Sequence, residues 1–415
     1  MDFSPSPRAA ELAALVSAFV TEEIEPVAAQ YHRDVAAARE AGRWEESPIM
    51  GELRAKARAQ GLWNLFLPAG HEGPYAERYG THGGAGLSNT DYAPLAEIMG
   101  RATFLAPYVF NCNAPDTGNM EVLLKYGTPE QQEQWLDPLL DGRIRSAFCM
   151  TEPSVASSDA TNMAATAVID GDEVVINGTK WFSTGVGHPD CRILVFMGLS
   201  NTEADRHHRH TMVLVPIDTP GVKVERLLTT MHVHDEPVGH GEVSFTDVRV
   251  PAANVLLGEG RAFEIAQGRL GPGRVHHCMR LIGQAELALE LAIRRGVSRT
   301  AFGKPLVKLG GNPERIADAR IAIDQARLLV LNAAWKLDTG GPLQALSEVS
   351  QIKVIVPNVA QQVIDMAMQL HGAGGMTDDF PLAAMWTNAR ALRLADGPDE
   401  VHRGLVARLE IGKHL

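Results

Sequence analysis

Cysteine is scarce in this chain. Four residues, Cys112, Cys149, Cys191 and Cys278, stand far apart with no CxxC pair; this argues against a disulfide framework and predicts reduced, mostly buried thiols of a cytosolic protein. Basic charge is outweighed: 38 Lys and Arg against 50 Asp and Glu give a net charge of -12, which argues against an electrostatic nucleic-acid binder but allows a local basic patch for an anionic ligand. No apolar run is long enough to span a membrane. The N-terminal stretch, with Asp2, Pro5, Pro7, Glu11 and Pro26, lacks the basic start and unbroken apolar core of a signal peptide, so the cytoplasm is the expected location. No G-x-G-x-x-G opens a helix after a strand, which argues against a Rossmann dinucleotide site. Internal repeats and low-complexity segments are also absent.

What is present falls into a clear order. Residues from about 8 to 145 read as helical; Arg8–Ala29 and Thr128–Leu140 are the best examples, the second with Thr128 as N-cap and Pro129 at the first helical position. Between about 146 and 255 short β-branched runs take over, and Ala167–Gly178 carries a hairpin signal at Asp170-Gly171-Asp172. Helical periodicity returns in Cys278–Ser298, Pro313–Thr339, Leu343–His371 and Phe380–Leu394. This gives an α+β multidomain chain with an N-terminal helical domain (1–145), a central β domain (146–260) and a C-terminal helical bundle (261–415). Gly372–Gly375 follows a helix and reads as a C-cap and turn. His207, His208 and His210 lie in a polar loop with Arg206 and Arg209 and no Cys or carboxylate support, so no metal site is expected there. His276-His277 reads as packing or interface.

The segments that carry chemistry are Phe148–Asp159 (FCMTEPSVASSD), a hydroxyl-rich, turn-prone loop, and Lys180–Thr184 (KWFST), an aromatic pair with two hydroxyls. Neither holds a nucleophile–base pair or a metal-ligand spacing, which assigns the chemistry to a cofactor. Three more segments complete an ordered set: RTAFGKPL (Arg299–Leu306), QLHGAGGM (Gln369–Met376) and ADGPDEVHR (Ala395–Arg403). The set resembles the acyl-CoA dehydrogenase family. GRLGPGRVHHCMR (Gly268–Arg280) and ADGPDEVHR are similar to the branch whose animal members sometimes carry a fused kinase-like domain, for which this chain has no room.

The resemblance implies N-terminal helices, a central antiparallel β-barrel and a C-terminal four-helix bundle. It implies FAD, an acyl-CoA substrate, a homodimer or homotetramer, and an electron-transfer flavoprotein as electron acceptor. The implied reaction is α,β-dehydrogenation, with Asp396 at the place of the catalytic base, where the larger branches have Glu; Asp399 and Glu400 are its rivals. GPGR at Gly271–Arg274 holds no carboxylate, which closes the base position used elsewhere in the family. The same resemblance places Phe148, Met150, Thr151, Ser157, Ser158, Phe182, Ser183 and Thr184 along the flavin, with Phe182 where many relatives have Trp and Thr184 near N5. Arg299, Phe302, Gln369, Gly372 and Gly375 are implied for the pyrophosphate and adenine across a subunit interface. Pro398 and Glu400 stand where many relatives have Thr and Gln. For the substrate it implies Ser158, Gly271, Pro272, Gly273, Arg274 and Gly397. Two other readings remain open at this point: an oxygen-using flavin oxidase similar to nitroalkane oxidases, which also use an aspartate base, and a non-catalytic binding protein on the same fold.

Overall fold

Hydroxyl side chains and prolines set where the first helices begin. In this computed structural model, which describes residues 2–68 and 84–415 (the side chains of 269–272 excepted), Ser6 Oγ accepts from Ala9 N at the start of α1 (Pro7–Phe19). Ser47 Oγ accepts from Ile49 N at α3 (Pro48–Ala59), and Ser88 Oγ from Asp91 N at α4 (Asn89–Gly100). Thr128 and Gln131 form a reciprocal capping box with Pro129 at the first helical position, as the sequence predicts. The expected helix Arg8–Ala29 differs in one respect: a π-turn at Val20–Ile24 separates α1 from α2 (Glu25–Glu40). A second π-turn, Gln132–Leu136, interrupts the segment after Thr128. Both have the same cause. Glu22 and Gln134 lie four residues before Pro26 and Pro138, where a proline ring collides with the carbonyl and supplies no N–H, and the ladder widens to accommodate it.

The chain forms two compact units. One comprises Pro26–Gly86 and Tyr108–Leu270 and contains helix α5 (Asp116–Tyr126) and a seven-stranded sheet. Its strands are β1 (Arg145–Cys149), β2 (Thr166–Asp170), β3 (Glu173–Thr184), β4 (Cys191–Leu199), β5 (His210–Pro216), β6 (Val222–Leu228) and β7 (His240–Pro251), ordered β1-β4-β2-β3-β7-β6 with β5 on β4. The predicted hairpin is β2–β3: Asp170 pairs with Glu173, and Gly171 (φ 67°) takes the left-handed position its turn requires. The sheet is mixed. Four pairings are antiparallel, whereas β1–β4 and β2–β4 run parallel. Ala147, Cys149, Ile176, Leu194, Phe196, Val213, Val243 and Phe245 form the core beneath it.

The other unit comprises Met1–Glu25, Leu87–Pro107 and Gly271–Leu415. Its helices include the C-terminal part of α6 (Ala262–Ser298), then α7 (Asn312–Gln344), α8 (Leu346–His371), α9 (Leu382–Ala391) and α10 (Asp399–Ile411). α7 and α8 meet the expected pair, with the break at Gly341 (φ 72°) just before Pro342. α8 is the central rod: Val349, Ile352, Val356, Val359, Ala360, Val363, Ala367 and Leu370 repeat at three- and four-residue spacing and are buried.

α4 and α6 cross on glycines. A Cβ on Gly283 would lie 1.9 Å from Glu97 O, and one on Gly100 would lie 2.1 Å from Arg280 O. Alanine gains roughly 1 kcal/mol over glycine in a helix interior. Overpacking against backbone costs about 1–3 kcal/mol or more, so the crossing wins. Gly283→Ala should therefore lower stability in urea titrations, and an unchanged or raised midpoint would refute the tight crossing.

Candidate functional site

In the β unit, the burial alternation of β1 puts Ala147 and Cys149 in the core and leaves Phe148 and Met150 only half-buried on the other face, continued by Thr151. Beside this row β3 gains one residue: its pairing to β7 jumps from Lys180–Val243 to Ser183–Gly241. That bulge turns two consecutive residues outward. Trp181 and Phe182 lie ring edge to ring face, Phe182 at φ 49° is 44% exposed, and Trp181 N donates to Thr151 O at 2.9 Å. Ser183 is thereby turned inward and fully buried, so its hydroxyl is not on the face that holds Phe182 and Thr184. Thr184 Oγ1 lies 2.9 Å from His240 Nδ1, and His240 Nε2 lies 3.7 Å from Asp235 Oδ2.

The loop after β1 is shaped from beneath by a buried ion pair that sequence reasoning missed. Lys180 Nζ donates to Glu152 Oε1 at 2.7 Å and to Met150 O at 2.9 Å, and the Glu152 carboxylate accepts from Ala164 N and Ala165 N. Both side chains are essentially buried, and burial pulls the Lys180 pKa below its ordinary value. Ser157 Oγ accepts from Glu152 N at 2.9 Å, which commits that hydroxyl to the loop; Ser158 stays exposed.

In the helical unit, Asp396 has a left-handed backbone (φ 56°), a conformation that Asp tolerates better than most residues, and its side chain is 20% exposed. Its carbonyl accepts from Arg274 Nε at 3.0 Å and lies 3.2 Å from His402 Nε2. Lys353 Nζ holds the preceding turn through Leu392 O (2.6 Å) and Ala395 O (2.8 Å). Gly397 continues at φ 103°, and a Cβ there would meet His402 Nε2 at 2.8 Å. His277 Nε2 lies 3.5 Å from Asp396 Oδ2. Burial and the nearby Arg274 charge push the His402 pKa down to about 4, and burial, Arg280 and His277 push that of His276 down to about 3. His276 packs edge-on against Tyr92, as its packing assignment expects.

The rivals of Asp396 are otherwise engaged. Asp399 is buried, paired with Arg393 at 2.9 Å and hydrogen-bonded by Asn358 Nδ2 at 3.1 Å, whereas Glu400 is exposed. Pro398 is the N-cap residue of α10. Arg274, implied for the substrate, donates its Nε–H to the Asp396 carbonyl oxygen. Gly273 has open space around its Cβ position, while the side-chain surroundings of Gly271 and Pro272 lie outside the described residues.

Arg299 is exposed, and Phe302 stands 95% exposed at φ 51° in the turn between β8 (Thr300–Ala301) and β9 (Lys304–Pro305). Gln369 is exposed near the end of α8. Gly372 (φ 66°) is its C-cap, as expected, and Gly375 is buried against Met368. All four cysteines are buried and in thiol form, none of them in a disulfide. His210 Nε2 meets Met163 O at 2.9 Å, and among the described residues no group of three His, Cys, Asp or Glu side chains is arranged to hold a metal. No described helix is long and apolar enough to cross a membrane.

Two of the groups around Asp396 had a sequence signal. Lys353 sits four residues after Val349 and three before Val356, a lysine inside an apolar stripe. His402 is the last but one residue of the ADGPDEVHR segment, but six residues from Asp396 is no helical repeat, and the contact exists only because α10 begins at Asp399.

Comparison with known proteins gives one answer along the chain. Models of the acyl-CoA dehydrogenase N-terminal, middle and C-terminal domains match residues 6–143, 147–248 and 260–410. Mouse acyl-CoA dehydrogenase family member 10 is 51% identical over 98% of this chain, which spans only 37% of that protein's length. FadE2 of Mycobacterium tuberculosis, assigned as an acyl-CoA dehydrogenase, is 48% identical over 100% of this chain and 98% of its own. A solved chain from Mycobacterium abscessus, assigned to the acyl-CoA dehydrogenases, is 65% identical with a TM-score of 0.94, covering 99% of this chain and 100% of that one. The chain belongs to the acyl-CoA dehydrogenase family of oxidoreductases.

Proposed function

We propose that the protein removes the α-proton of an acyl-CoA thioester with Asp396 and gives the trans-2-enoyl-CoA, with FAD as its cofactor. The observation that carries this reading is the placement of Asp396: a partly shielded carboxylate on a backbone clamped by Arg274 and His402, with Asp399 committed to Arg393 and Glu400 in solvent. A base must be held still, within hydrogen-bond reach of the proton it takes.

The residues on the β unit fit a flavin. Phe182 is exposed beside half-buried Phe148, Met150 and Thr151, and Trp181 Nε1 is a buried donor with no protein acceptor among the described residues, which a polar ligand edge would satisfy. Thr151, Ser158 and Thr184 supply hydroxyls; Phe182 supplies the aromatic wall. Held by these residues, FAD would supply the acceptor for the β-hydrogen, which leaves as hydride. Arg299 and Phe302, with Gln369 and Gly372, are assigned to the pyrophosphate and adenine of a cofactor bound by a second copy of the chain; Arg299, Phe302 and Gln369 are all exposed, which leaves them open to such a ligand. Gly273, Arg274 and Gly397 line the thioester arm in this proposal, and an electron-transfer flavoprotein receives the electrons.

The test is the visible spectrum of the purified protein, recorded anaerobically while acyl-CoA thioesters of graded chain length are added. A flavin band that bleaches with one chain class is expected. A band that never bleaches, together with oxygen consumption and peroxide release on other substrates, would replace the reading with the oxidase. A separate expectation follows for the shared cofactor: Arg299→Ala should purify with much less flavin and a shifted oligomer distribution, and full occupancy in an unchanged oligomer would sink the cross-chain role.

A further inference from the structure

The Asp396 carboxylate faces one imidazole whose tautomer its other neighbour dictates. Arg280 Nη2 lies 3.2 Å from His277 Nδ1, and His277 Nε2 lies 3.5 Å from Asp396 Oδ2. A guanidinium only donates hydrogen bonds, so Nδ1 is the acceptor and the ring proton sits on Nε2, the nitrogen that faces Asp396. A doubly protonated ring would bring an N–H and a second positive charge against Arg280. The three groups sit on α6 at Arg280 and His277 and on the turn before α10 at Asp396, a short line from a permanent cation to the carboxylate.

We propose that His277 is a positioning residue for the base: its Nε2–H, set by Arg280, fixes the carboxylate rotamer of Asp396 and stabilises its ionised form. This rests on the assignment of Asp396 as base. The physical need for such a group comes from the aspartate itself. Arg274, His402 and Lys353 hold the backbone of this turn through the carbonyls of Asp396, Leu392 and Ala395, and none of those contacts fixes the rotation of the carboxylate about its own side-chain bonds. A neutral N–H donor does, and it favours the charged form without forming a tight salt bridge that would quench the base. The 3.5 Å separation is long, in keeping with catalytic hydrogen bonds that tighten in the substrate complex.

Among the described residues, the charged and titratable groups around Asp396 include Arg274, His277, Cys278 and Arg280 on α6, Lys353 on α8 and His402 on α10, and the test changes only one of them. His277→Gln keeps an amide N–H near the Nε2 position; His277→Leu removes it, and His277→Asn places its donor too short to reach. Two readouts are taken on the intact flavoprotein: the acidic limb of the pH profile for anaerobic flavin bleaching at saturating substrate, and the carboxyl titration of Asp396 itself, read by pH-difference infrared spectroscopy as the band that Asp396→Asn removes. The Leu and Asn variants are expected to move both upward by about one pH unit, a roughly tenfold slower bleaching below the limb with the high-pH plateau retained. The Gln variant is expected to follow the parent protein.

Unmoved infrared and kinetic titrations in the Leu and Asn variants would overturn the role of His277 while leaving the base assignment standing. A Gln variant that shifts like Leu would also overturn it, because charge rather than the N–H would then be holding the carboxylate. A moved infrared titration with an unmoved kinetic limb, or an Asp396→Asn variant that still turns over, would remove the base assignment and this role with it. The Asn variant serves if the Leu substitution does not fold.

Discussion

Asp396→Asn should leave the protein yellow and slow its substrate-driven bleaching by about a thousandfold, within the 10²–10⁴ range that removal of a general base typically costs. Asparagine matches aspartate in shape and is among the few residues at ease with a positive φ, so the backbone at φ 56° and its bonds to Arg274 and His402 should survive. What disappears is the proton acceptor. Asp399→Asn is the contrasting variant. That carboxylate is buried against Arg393, and its loss should appear as lowered stability rather than as a chemical defect in the folded fraction. Near-normal turnover in Asp396→Asn would sink the central assignment whatever the stability data show.

Lys180→Met should cost the β unit about 3–5 kcal/mol, the usual penalty for stranding one member of a buried ion pair. Glu152 would keep its hydrogen bonds from Ala164 N and Ala165 N but lose the cation 2.7 Å away, in a site where both side chains are essentially buried. Many buried ion pairs can be exchanged for apolar residues at little cost. This one should not behave that way. A Glu152→Leu/Lys180→Met double variant would strand two backbone N–H groups at about 1–3 kcal/mol each, so it should recover little of the loss. Because Lys180 also bonds Met150 O, the loop that begins there should loosen, and flavin occupancy should fall with stability. Guanidinium titrations of the two variants, with the flavin-to-protein absorbance ratio, check both statements; a double variant as stable as the parent would refute the argument.

The order of elements was legible because it depends on local physics. Caps at Ser6, Ser47, Ser88 and Thr128, the left-handed glycine between β2 and β3, and the three- and four-residue repeat of α8 act through neighbours a few positions away. The two π-turns were in principle legible too, since each lies over the residue four before a proline. The parallel partners of β4 were not: a period of two tells which side chains share a face, and it says nothing about which strand lies alongside. Ser183 was assigned to the cofactor face, and an extra residue in β3 turned it inward, a shift of register that leaves no mark on the alternation before it.

By itself the sequence determined the helix starts, the β module at the centre and the five ordered segments, the last of which carries the Asp396 carboxylate. Tertiary structure decided how that carboxylate is held. Asp396 is 122 residues from Arg274 and 42 residues before Ala395 stands the Lys353 that grips its turn. His277 reaches it from another helix altogether. Packing of α6, α8 and α10 brings these groups within hydrogen-bond distance, and electrostatic and hydrogen-bond energies depend on that distance in space, which spacing along the chain does not encode.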